Sequence, residues 1–298
     1  RRLRGEVAAL GPVFVKLAQT LATRSDIVSR ELGAALGLMQ DAMPTFENEA
    51  ALAAVREEFA WEGPVCGGPG ALFHELSPEP VAAASLAQVY RGRLSHSGEE
   101  IAVKVQRPKL LERVGLDFYV LRLLLSAVNV LTGRSRGSRI AGSVLDEVGE
   151  GLFAELDFVR EALHIERFRE LYGAKCPLVT VPRVIWSRTR PRVLTMTWLA
   201  GRKPRDLDPE EKLALVRMAA PCLSLQLMDV GFLHCDPHEG NMLLLDDGRC
   251  GLIDFGLVAQ MTEVHQESMA SGILNLLFGN YKALVPCFEG MGILNPDV

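Results

Sequence analysis

The chain has 298 residues, enough for two units of about 150 residues with their own cores. Apolar residues make up 48% and charged residues 23%, which excludes a mainly disordered chain. The net charge of −5 and the pI near 5.8 argue against a broad nucleic-acid surface, so we expect no nucleic-acid partner. The 6 cysteines show no C-x-x-C spacing, which argues against a disulfide framework and suits a reducing compartment.

The first 60 residues have the periodicity of helices. One apolar stripe at helical spacing consists of Leu10, Phe14, Leu17 and Leu21. A polar stripe with the same period, typical of a solvated face when considered alone, contains Lys16, Gln19, Thr20 and Thr23. Because basic residues precede it in the sequence, the apolar stripe has two interpretations. It contacts anionic lipid or it packs on the protein core, and we favour packing.

Two further stretches are long and strongly apolar, Val114–Leu131 and Leu213–Leu233. Neither reaches 18 uninterrupted apolar residues, because charged and polar residues interrupt both. Both therefore predict buried helices rather than membrane spans.

Beyond residue 60 the pattern changes to short strands followed by helices. Trp61–Gly70 is rich in Gly and Pro and predicts a linker. The elements expected next are strands at Leu86–Leu94 and Glu100–Gln106, helices near Lys109–Leu131 and Val144–Tyr172, and a strand at Val193–Trp198.

The last third predicts a capped helix and a hairpin. Asp208 and the residues after it suit a helix start, and Gly231 suits a helix end. Met242–Leu245 and Cys250–Ile253 predict a second hairpin. The order of elements predicts an α+β fold with a helical extension over 1–60, a strand-rich lobe with inserted helices over 70–200, and a mostly helical lobe over 201–298. The last lobe is expected to be truncated.

The densest polar cluster, His234–Asn241, lies between a predicted helix and a predicted hairpin. Within it, Asp236 and Asn241 have the D-x-x-x-x-N spacing of a kinase catalytic loop, and Asp254-Phe255-Gly256 follows across the hairpin. Asn241 and Asp254 supply hard oxygen ligands suited to Mg²⁺. Asp236 would orient or deprotonate an attacking hydroxyl or water. A second interpretation takes His234, Asp236 and His238 as metal ligands of a hydrolase, but further ligands are lacking.

A kinase-like site also needs a cation for the nucleotide phosphates. The strand Ile101–Lys104 has the shape of V-A-I-K, with Lys104 as that cation. The candidates for its carboxylate partner are Glu155, Asp157 and Glu161. Asp157 and Glu161 are expected on one helix face, with Glu155 directed elsewhere.

The segment before the first hairpin departs from ordinary kinases. A G-x-G-x-x-G loop is expected there, but the chain has Ala82, Ala83, Ala84 and Ser85. Alanine keeps the segment small and removes the conformational freedom of glycine, so the backbone cannot cradle phosphates in the usual way.

Together these motifs resemble the UbiB–ADCK family of atypical, protein-kinase-like proteins over nearly the whole chain. Gly11–Gln19 is similar to its K-x-G-Q helix, although Ala18 replaces the glycine, and residues 82–85 are similar to its alanine-rich loop. Glu155–Phe158 resembles its E-x-D motif.

The resemblance implies a bilobal kinase-like fold with a helical extension packed over the active site. It implies that Lys16 and Gln19 meet Glu155 or Asp157, and that Glu161 is the partner of Lys104. Residues expected to bind the nucleotide are Ala82, Ala83, Ala84, Ser85, Lys104, Met196 and Trp198.

The resemblance also implies an ATPase or phosphotransferase that uses ATP and Mg²⁺, or Mn²⁺, in isoprenoid quinone or prenyl-lipid metabolism. The alternative is a catalytically silent, nucleotide-binding scaffold that recruits lipid or partner enzymes. The expected partners are ATP, lipids or quinone-pathway proteins, and a membrane surface. The residues Thr23–Asp26 and Leu38–Asp41 look most like those of plastid and cyanobacterial members of this family, which favours a plastid location. Mitochondrial and bacterial locations are the alternatives.

Overall fold

The computed structural model describes residues 11–23, 28–37, 45–132 and 136–294. Numbered along the chain, the helices are α1 (Pro12–Thr23), α2 (Arg30–Gly37), α3 (Asn48–Phe59), α4 (Leu110–Thr132), α5 (Arg136–Glu155), α6 (Phe158–Tyr172), α7 (Pro209–Leu225), α8 (Glu263–Leu277) and α9 (Leu284–Gly290). The strands are β1 (Glu75–Leu76), β2 (Ala82–Ala83), β3 (Ala87–Arg93), β4 (Glu100–Gln106), β5 (Val179–Thr180), β6 (Val193–Thr197), β7 (Gly201–Arg202), β8 (Phe232–His234), β9 (Met242–Leu245), β10 (Cys250–Leu252) and β11 (Val258–Gln260).

The chain divides into two compact units. The first contains Arg1–Arg160 and Val184–Trp198, and the second contains Glu161–Arg183 and Leu199–Val298. The first unit thus includes the helical extension, and α6 from Glu161 onward belongs to the second unit. The predicted bounds of the three regions stay a prediction.

The first unit is built on a five-stranded sheet in the order β1-β3-β4-β6, with β2 also paired to β3. The predicted hairpin β3–β4 is confirmed, and β4 pairs antiparallel with β6 so that Lys104 lies opposite Val89 and Leu194. Helix α3 packs Ala51 and Val55 onto the core under the sheet. This sheet holds Lys104 at the centre of a fully paired strand.

The predicted linker Trp61–Gly70 is not a loose connection. Val65 is buried in the core of the sheet together with Leu72 and Phe73, and Phe73 donates its backbone N–H to the Val65 carbonyl at 2.9 Å. The Gly and Pro content indicates turns correctly, but apolar burial anchors the segment.

A second core of the first unit joins α1, α4 and α5. Phe14, Leu17 and Leu21 pack on buried residues of the other two helices, including Val114 and Leu152. The predicted packing of this stripe on the protein is therefore present, and Leu10 lies outside the described residues.

The expected long helix over Val144–Tyr172 is wrong, because two helices occupy this region. α5 ends at Glu155 and α6 begins at Phe158. The Asp157 carboxylate accepts the backbone N–H of Val159 at 3.0 Å, so it caps the start of α6. Asp157 is therefore not on a helix face shared with Glu161.

The second unit contains α7, α8, α9 and two small sheets, in the orders β5-β10-β9-β7 and β11-β8. As predicted, Asp208 caps α7: its carboxylate accepts the N–H groups of Glu210 and Glu211 at 2.9 Å, and the Glu211 side chain accepts the Asp208 N–H at 3.1 Å. A π-helical turn, Gln226–Val230, follows, and Gly231 ends it with a φ of 74°. These elements lead directly into the polar cluster.

The two apolar stretches expected to be buried are mostly exposed. By length and composition two helical segments in the described part could cross a membrane, Leu110–Leu131 and Pro209–Val230. Only 11% of the first apolar window and 22% of the second are buried. Apolar composition indicates that a face is buried somewhere, but it does not indicate how much of the helix the fold covers.

Candidate functional site

The candidate site has two parts, one in each unit. The part in the second unit is the loop between β8 and β9 together with the Asp254-Phe255-Gly256 segment after β10. The loop is held from below by Gln226, whose side-chain oxygen accepts the His234 N–H at 2.8 Å. The Ile253 N–H donates to the Asn241 carbonyl at 3.1 Å, which ties the two segments together.

The side chain of Asn241 is oriented by Asp236. Its side-chain amide Nδ2 donates to the backbone carbonyl of Asp236 at 3.1 Å. Because the NH₂ group is used within the loop, the amide presents Oδ1 as its remaining acceptor. This oxygen is the ligand that a Mg²⁺ site at Asn241 requires.

Asp236 is half-buried, and His238 lies beside its carboxylate. The His238 Nδ1 accepts the Gly240 N–H at 2.9 Å, so the neutral ring carries its proton on Nε2. That Nε2 lies 3.5 Å from Asp236 Oδ2. His238 therefore faces the carboxylate with a proton and helps to position it, a role that the sequence analysis missed.

Asp254 and Phe255 have different environments. The Asp254 Oδ1 accepts the Gly256 N–H at 3.0 Å, which fixes the carboxylate in the turn. Phe255 is fully buried and packs edge-on against His234 and Phe168, with ring centroids 4.8 and 5.1 Å apart. The turn is thereby anchored by its aromatic residue while the acid stays partly accessible.

His234 supports this packing from the β8 side. Its Nδ1 accepts the Asp236 N–H at 3.2 Å, and its ring is buried against Phe255. Burial lowers the pKa of His234 below its ordinary value, although the carboxylates of Asp254 and Asp236 oppose the shift. His234 is therefore neutral near pH 7 and acts as a structural support.

These contacts contradict the hydrolase interpretation. The Nδ1 atoms of His234 and His238 both accept backbone N–H groups, so each neutral ring carries its proton on Nε2 and has no free nitrogen lone pair for a metal ion. Among the described residues no group of three or more His, Cys, Asp or Glu side chains could hold a metal ion. An Asn–Asp pair remains compatible with Mg²⁺, which keeps waters and substrate phosphates among its ligands.

Glu161, the first residue of the second unit, is buried next to the same segment. Its Oε1 lies 3.5 Å from the backbone nitrogen of Phe255, which donates to it. His164, one turn later on α6, has its Nδ1 3.0 Å from the Phe255 carbonyl. Helix α6 thus contacts the two peptide groups that flank Phe255. The predicted pairing of Glu161 with Lys104 stays a prediction.

The part in the first unit centres on Lys104. Lys104 is only 8% exposed, and its Nζ lies 5.2 Å from the centroid of the Phe158 ring. A lysine this deeply buried in a fully paired strand is unusual, because burying an ammonium group costs free energy unless the charge is paired or hydrogen-bonded. The solvated lysine typical of a strand end is therefore excluded.

In the alanine-rich segment, Ala82 and Ala83 form the short strand β2, whereas Ala84 and Ser85 lie in the turn between β2 and β3. The predicted nucleotide binding by these four residues stays a prediction. Ala82 and Ala83 pair with Val89 and Gln88 of β3. The N–H groups of Val81 and Ala84 donate to carbonyls of β3, both at 2.8 Å. Among the described non-glycine residues only Ala60 and Lys109 have a positive φ, so the alanines here need no glycine-like conformation.

Arg107 holds this segment in place, and the sequence analysis did not identify it. Its Nε donates to the Ser85 carbonyl at 3.1 Å and its Nη2 to the Ala84 carbonyl at 3.2 Å. Its own N–H donates to the Leu86 carbonyl at 2.9 Å. Burial lowers the pKa of Arg107, and nearby Arg113 adds to the shift. The acceptors are backbone atoms some 20 residues upstream, so no side-chain pattern reveals them.

The helical extension contributes the expected ion pair. Lys16 on α1 donates to Glu155 Oε1 at the end of α5, with both side chains largely buried. Gln106 of β4 donates to the Leu156 carbonyl at 2.7 Å, so the same turn is also tied to the sheet. The side chain of Gln19 lies outside the described part.

Met196 and Trp198 lie at the end of β6. Met196 is buried and pairs with Ala102, and the Trp198 N–H donates to the Glu100 carbonyl at 2.9 Å. The Arg91 guanidinium lies 5.1 Å from the centre of the Trp198 ring. One face of the indole is thereby covered, and the predicted role of both residues in nucleotide binding stays a prediction.

Comparison with known proteins identifies the class. Residues 38–287 match the ABC1 atypical kinase-like domain. An uncharacterized protein of Synechocystis is 36% identical over 302 residues, which cover 99% of this chain and 43% of that protein. The chloroplastic protein Activity of BC1 complex kinase 3 of Arabidopsis thaliana is 36% identical over 301 residues, covering 99% of this chain and 41% of the relative. The chain therefore belongs to the ABC1 atypical kinase-like family, and the resemblance predicted from its motifs is confirmed.

A solved structure supports the same fold. Rv3197 from Mycobacterium tuberculosis, in its complex with erythromycin, matches with a TM-score of 0.64 and 26% sequence identity, covering 91% of this chain and 66% of that one. The kinase-like α+β fold is thus confirmed. The chain spans about two fifths to one half of the length of the curated relatives it matches. Relatives from chloroplasts and cyanobacteria support the predicted plastid location.

Proposed function

We propose that the protein binds ATP with Mg²⁺ or Mn²⁺ and transfers or hydrolyses the γ-phosphate. Lys104 would neutralise the α- and β-phosphates, and Asn241 and Asp254 would hold the metal ion. Asp236 would accept the proton of the attacking hydroxyl or water, with His238 positioning its carboxylate. The metal, when bound, supplies charge neutralisation of the phosphates.

The observation that carries the proposal is the internal order of the loop in the second unit. The side-chain amide of Asn241 donates to the Asp236 carbonyl, and the backbone carbonyl of Asn241 accepts the N–H of Ile253, the residue before Asp254. This arrangement orients the two metal-ligand candidates through contacts within the chain itself. Such preorganisation favours phosphoryl transfer, because positioned groups and electrostatic stabilisation supply most of the catalysis of that reaction.

Lys104 adds independent support from the first unit. A structural lysine gains little from a buried, central strand position, whereas a lysine that meets phosphates needs a fixed side chain in a partly desolvated environment. Its contact with Phe158 restricts the stem and the ammonium group.

We further propose that this activity supports isoprenoid quinone or prenyl-lipid metabolism in a plastid. The resemblance to the UbiB–ADCK proteins suggests this metabolism, and the chloroplastic and cyanobacterial relatives support the compartment. The expected partners are lipids or enzymes of quinone synthesis.

The second candidate is a catalytically silent scaffold that binds nucleotide. It is favoured by the strand pairing of the alanine-rich segment, which uses the N–H groups of Val81 and Ala84 within the sheet. Fewer backbone N–H groups of this segment are then available to donate hydrogen bonds to the nucleotide phosphates. The Lys16–Glu155 pair also indicates an extension fixed to the core of the first unit.

Phosphate release from ATP in the presence of Mg²⁺ distinguishes the two candidates. Asp236→Asn removes the proton acceptor, and we expect it to lower turnover about 10²- to 10⁴-fold while leaving nucleotide binding intact. The matched control is Asp246→Asn at the exposed second hairpin, which should leave turnover unchanged. Equal turnover in wild type and Asp236→Asn would reject catalysis at this loop, and binding without turnover in wild type would establish the scaffold.

A further inference from the structure

His238 is held in place by three hydrogen bonds within the loop between β8 and β9. Its backbone N–H donates to the Asp236 carbonyl, and its backbone carbonyl accepts the Asn241 N–H, both at 2.9 Å. The ring is held as well, because its Nδ1 accepts the Gly240 N–H at 2.9 Å. The loop therefore fixes this residue both at its backbone and at its imidazole.

Gly240 also allows the imidazole to pack directly on the backbone. A Cβ atom at position 240 would lie 2.6 Å from Cε1 and 2.9 Å from Nδ1 of His238, which is closer than a side chain can approach. Gly240 is not among the glycines with a positive φ, so the ring above it, and not an unusual backbone angle, requires glycine here. This close contact and the hydrogen bond together restrict the ring to one orientation.

These contacts leave His238 with one polar group to offer to a ligand. Because Nδ1 accepts a hydrogen bond, the neutral ring carries its proton on Nε2. Nε2 lies 3.5 Å from Asp236 Oδ2, a separation longer than the roughly 2.7–3.2 Å of an ordinary N–H···O hydrogen bond. The residues that the structure describes give Nε2 no shorter hydrogen bond, so its proton can serve a further acceptor.

Access from solvent distinguishes His238 from His234, the other histidine of this loop. The His234 ring is buried and packs against Phe255, with 4.8 Å between the ring centroids. The side chains of His238 and Asp236 are 30% and 47% exposed. A ligand can therefore reach the N–H of His238 and the carboxylate of Asp236 together.

The acceptor that fits this place is a phosphoryl oxygen. In the proposed reaction, Asp236 accepts the proton of an attacking oxygen, which requires an oxygen–oxygen distance of about 2.6–3.2 Å. The attacking oxygen in turn has to lie about 3–3.5 Å from the phosphorus before it reacts. The carboxylate thus works next to an anionic phosphoryl group, and a fixed N–H beside both anions reduces their repulsion and stabilises the developing charge.

We propose that His238 is a catalytic residue whose Nε2–H donates to an oxygen of the γ-phosphoryl group of ATP. This inference deepens the proposed phosphoryl transfer and rests on it. As the attacking oxygen forms its bond to the γ-phosphorus, the bond between that phosphorus and the bridging oxygen breaks, and ADP leaves with the electron pair. The proton of the attacking group goes to Asp236, and His238 keeps its own proton throughout.

Two amide substitutions separate the two contacts of the ring. His238→Asn places an acceptor oxygen where Nδ1 meets the Gly240 N–H, but it has no donor at the position of Nε2. His238→Gln has a longer side chain, and its amide nitrogen reaches the position of Nε2. His96→Asn, at an exposed position of the first hairpin, is the matched control.

The measurement is calorimetric titration of the 298-residue chain with Mg²⁺ and either ADP or the non-hydrolysable β,γ-imido analogue of ATP. His238→Asn should bind the analogue about tenfold more weakly and bind ADP as wild type does, because only the analogue carries the γ-phosphoryl group. His238→Gln should recover most of this loss, and His96→Asn should bind both ligands as wild type does. Phosphate release from ATP by His238→Asn should fall about 10²- to 10³-fold.

The outcomes separate this inference from the proposed function. Equal affinity of wild type and His238→Asn for the analogue, or an equal loss of affinity for the analogue and for ADP, would overturn the inference and leave the proposed function standing. The same loss in His238→Gln as in His238→Asn would also overturn it, because a donor at the position of Nε2 would then make no difference. If wild type binds neither nucleotide, the proposed function and the inference are both rejected.

Discussion

The two parts of the candidate site are held together in different ways. In the second unit, the Asn241 side chain donates to the Asp236 carbonyl, so a hydrogen bond within the loop itself orders the two residues. In the first unit, the alanine-rich segment has no such internal order, and it is held by pairing with β3 and by Arg107. The polar loop is ordered by hydrogen bonds within the loop, whereas the alanine-rich segment is ordered by its pairing with β3 and by its contacts with Arg107. The part in the second unit is therefore ordered by contacts within its own loop, and the part in the first unit is ordered by residues outside the segment.

The strongest way to break this comparison is to remove Arg107. Arg107→Ala deletes two side-chain bonds to backbone carbonyls, and we expect unfolding to become easier by about 1.5–3 kcal/mol. Urea unfolding followed by circular dichroism measures the change. Arg107→Lys keeps the charge but lacks the planar guanidinium that donates to two carbonyls, so it should recover only part of the lost unfolding free energy. Arg217→Ala, at an exposed position of α7 in the second unit, tests a general effect of losing an arginine. An Arg107→Ala variant as stable as wild type would show that strand pairing alone holds the segment.

The second prediction concerns the pH dependence of the second unit. Burial lowers the pKa of His234 in the folded state, so the unfolded chain binds the extra proton first as pH falls. Stability should therefore decrease below about pH 6.5, by at most about 1.4 kcal/mol per pH unit, and level off below the folded-state pKa.

Urea unfolding at a series of pH values tests this prediction. His234→Asn replaces the acceptor Nδ1 with an amide oxygen and should remove that part of the slope. His96→Asn in the exposed first hairpin should keep it, since that position is exposed in the fold. An unchanged slope in His234→Asn would mean that other groups cause the acid sensitivity.

The smallest expected effect sharpens the role of the helical extension in the first unit. The Lys16–Glu155 pair is largely buried, and a double-mutant cycle with Lys16→Met and Glu155→Gln should give a coupling of about 1 kcal/mol in unfolding free energy. A comparable cycle on Arg122 and Asp146, an exposed pair, should give less. A coupling near zero for Lys16 and Glu155 would remove the pair as an anchor of α1.

Much of the local structure could be predicted because it is encoded in short patterns. The alternation and turn residues around β3 and β4, and the capping sequence at Asp208, act within a few residues. The spacing of Asp236 and Asn241 is also a short pattern, because the hydrogen bond between the Asn241 side chain and the Asp236 carbonyl joins residues five apart.

The features that were missed depend on distant partners. Helical propensity continues across Asp157, and the helix breaks there because Phe158 donates its N–H to the Pro191 carbonyl and Asp157 caps the next helix. The role of Arg107 depends on carbonyls of Ala84 and Ser85, which have no side-chain signature. The exposure of α4 depends on which helices the fold brings against it, and composition does not contain that information.

The most direct test of the central claim is the thermal unfolding midpoint with and without MgATP. ATP at about a hundred times its dissociation constant should stabilise wild type by roughly 2.7 kcal/mol. Asp254→Asn should lose this stabilisation, because it removes the carboxylate that holds the metal, whereas Asp246→Asn should keep it. If MgATP does not stabilise the folded wild type, or stabilises Asp254→Asn equally, the Asp236–Asn241–Asp254 arrangement is not a metal–nucleotide site.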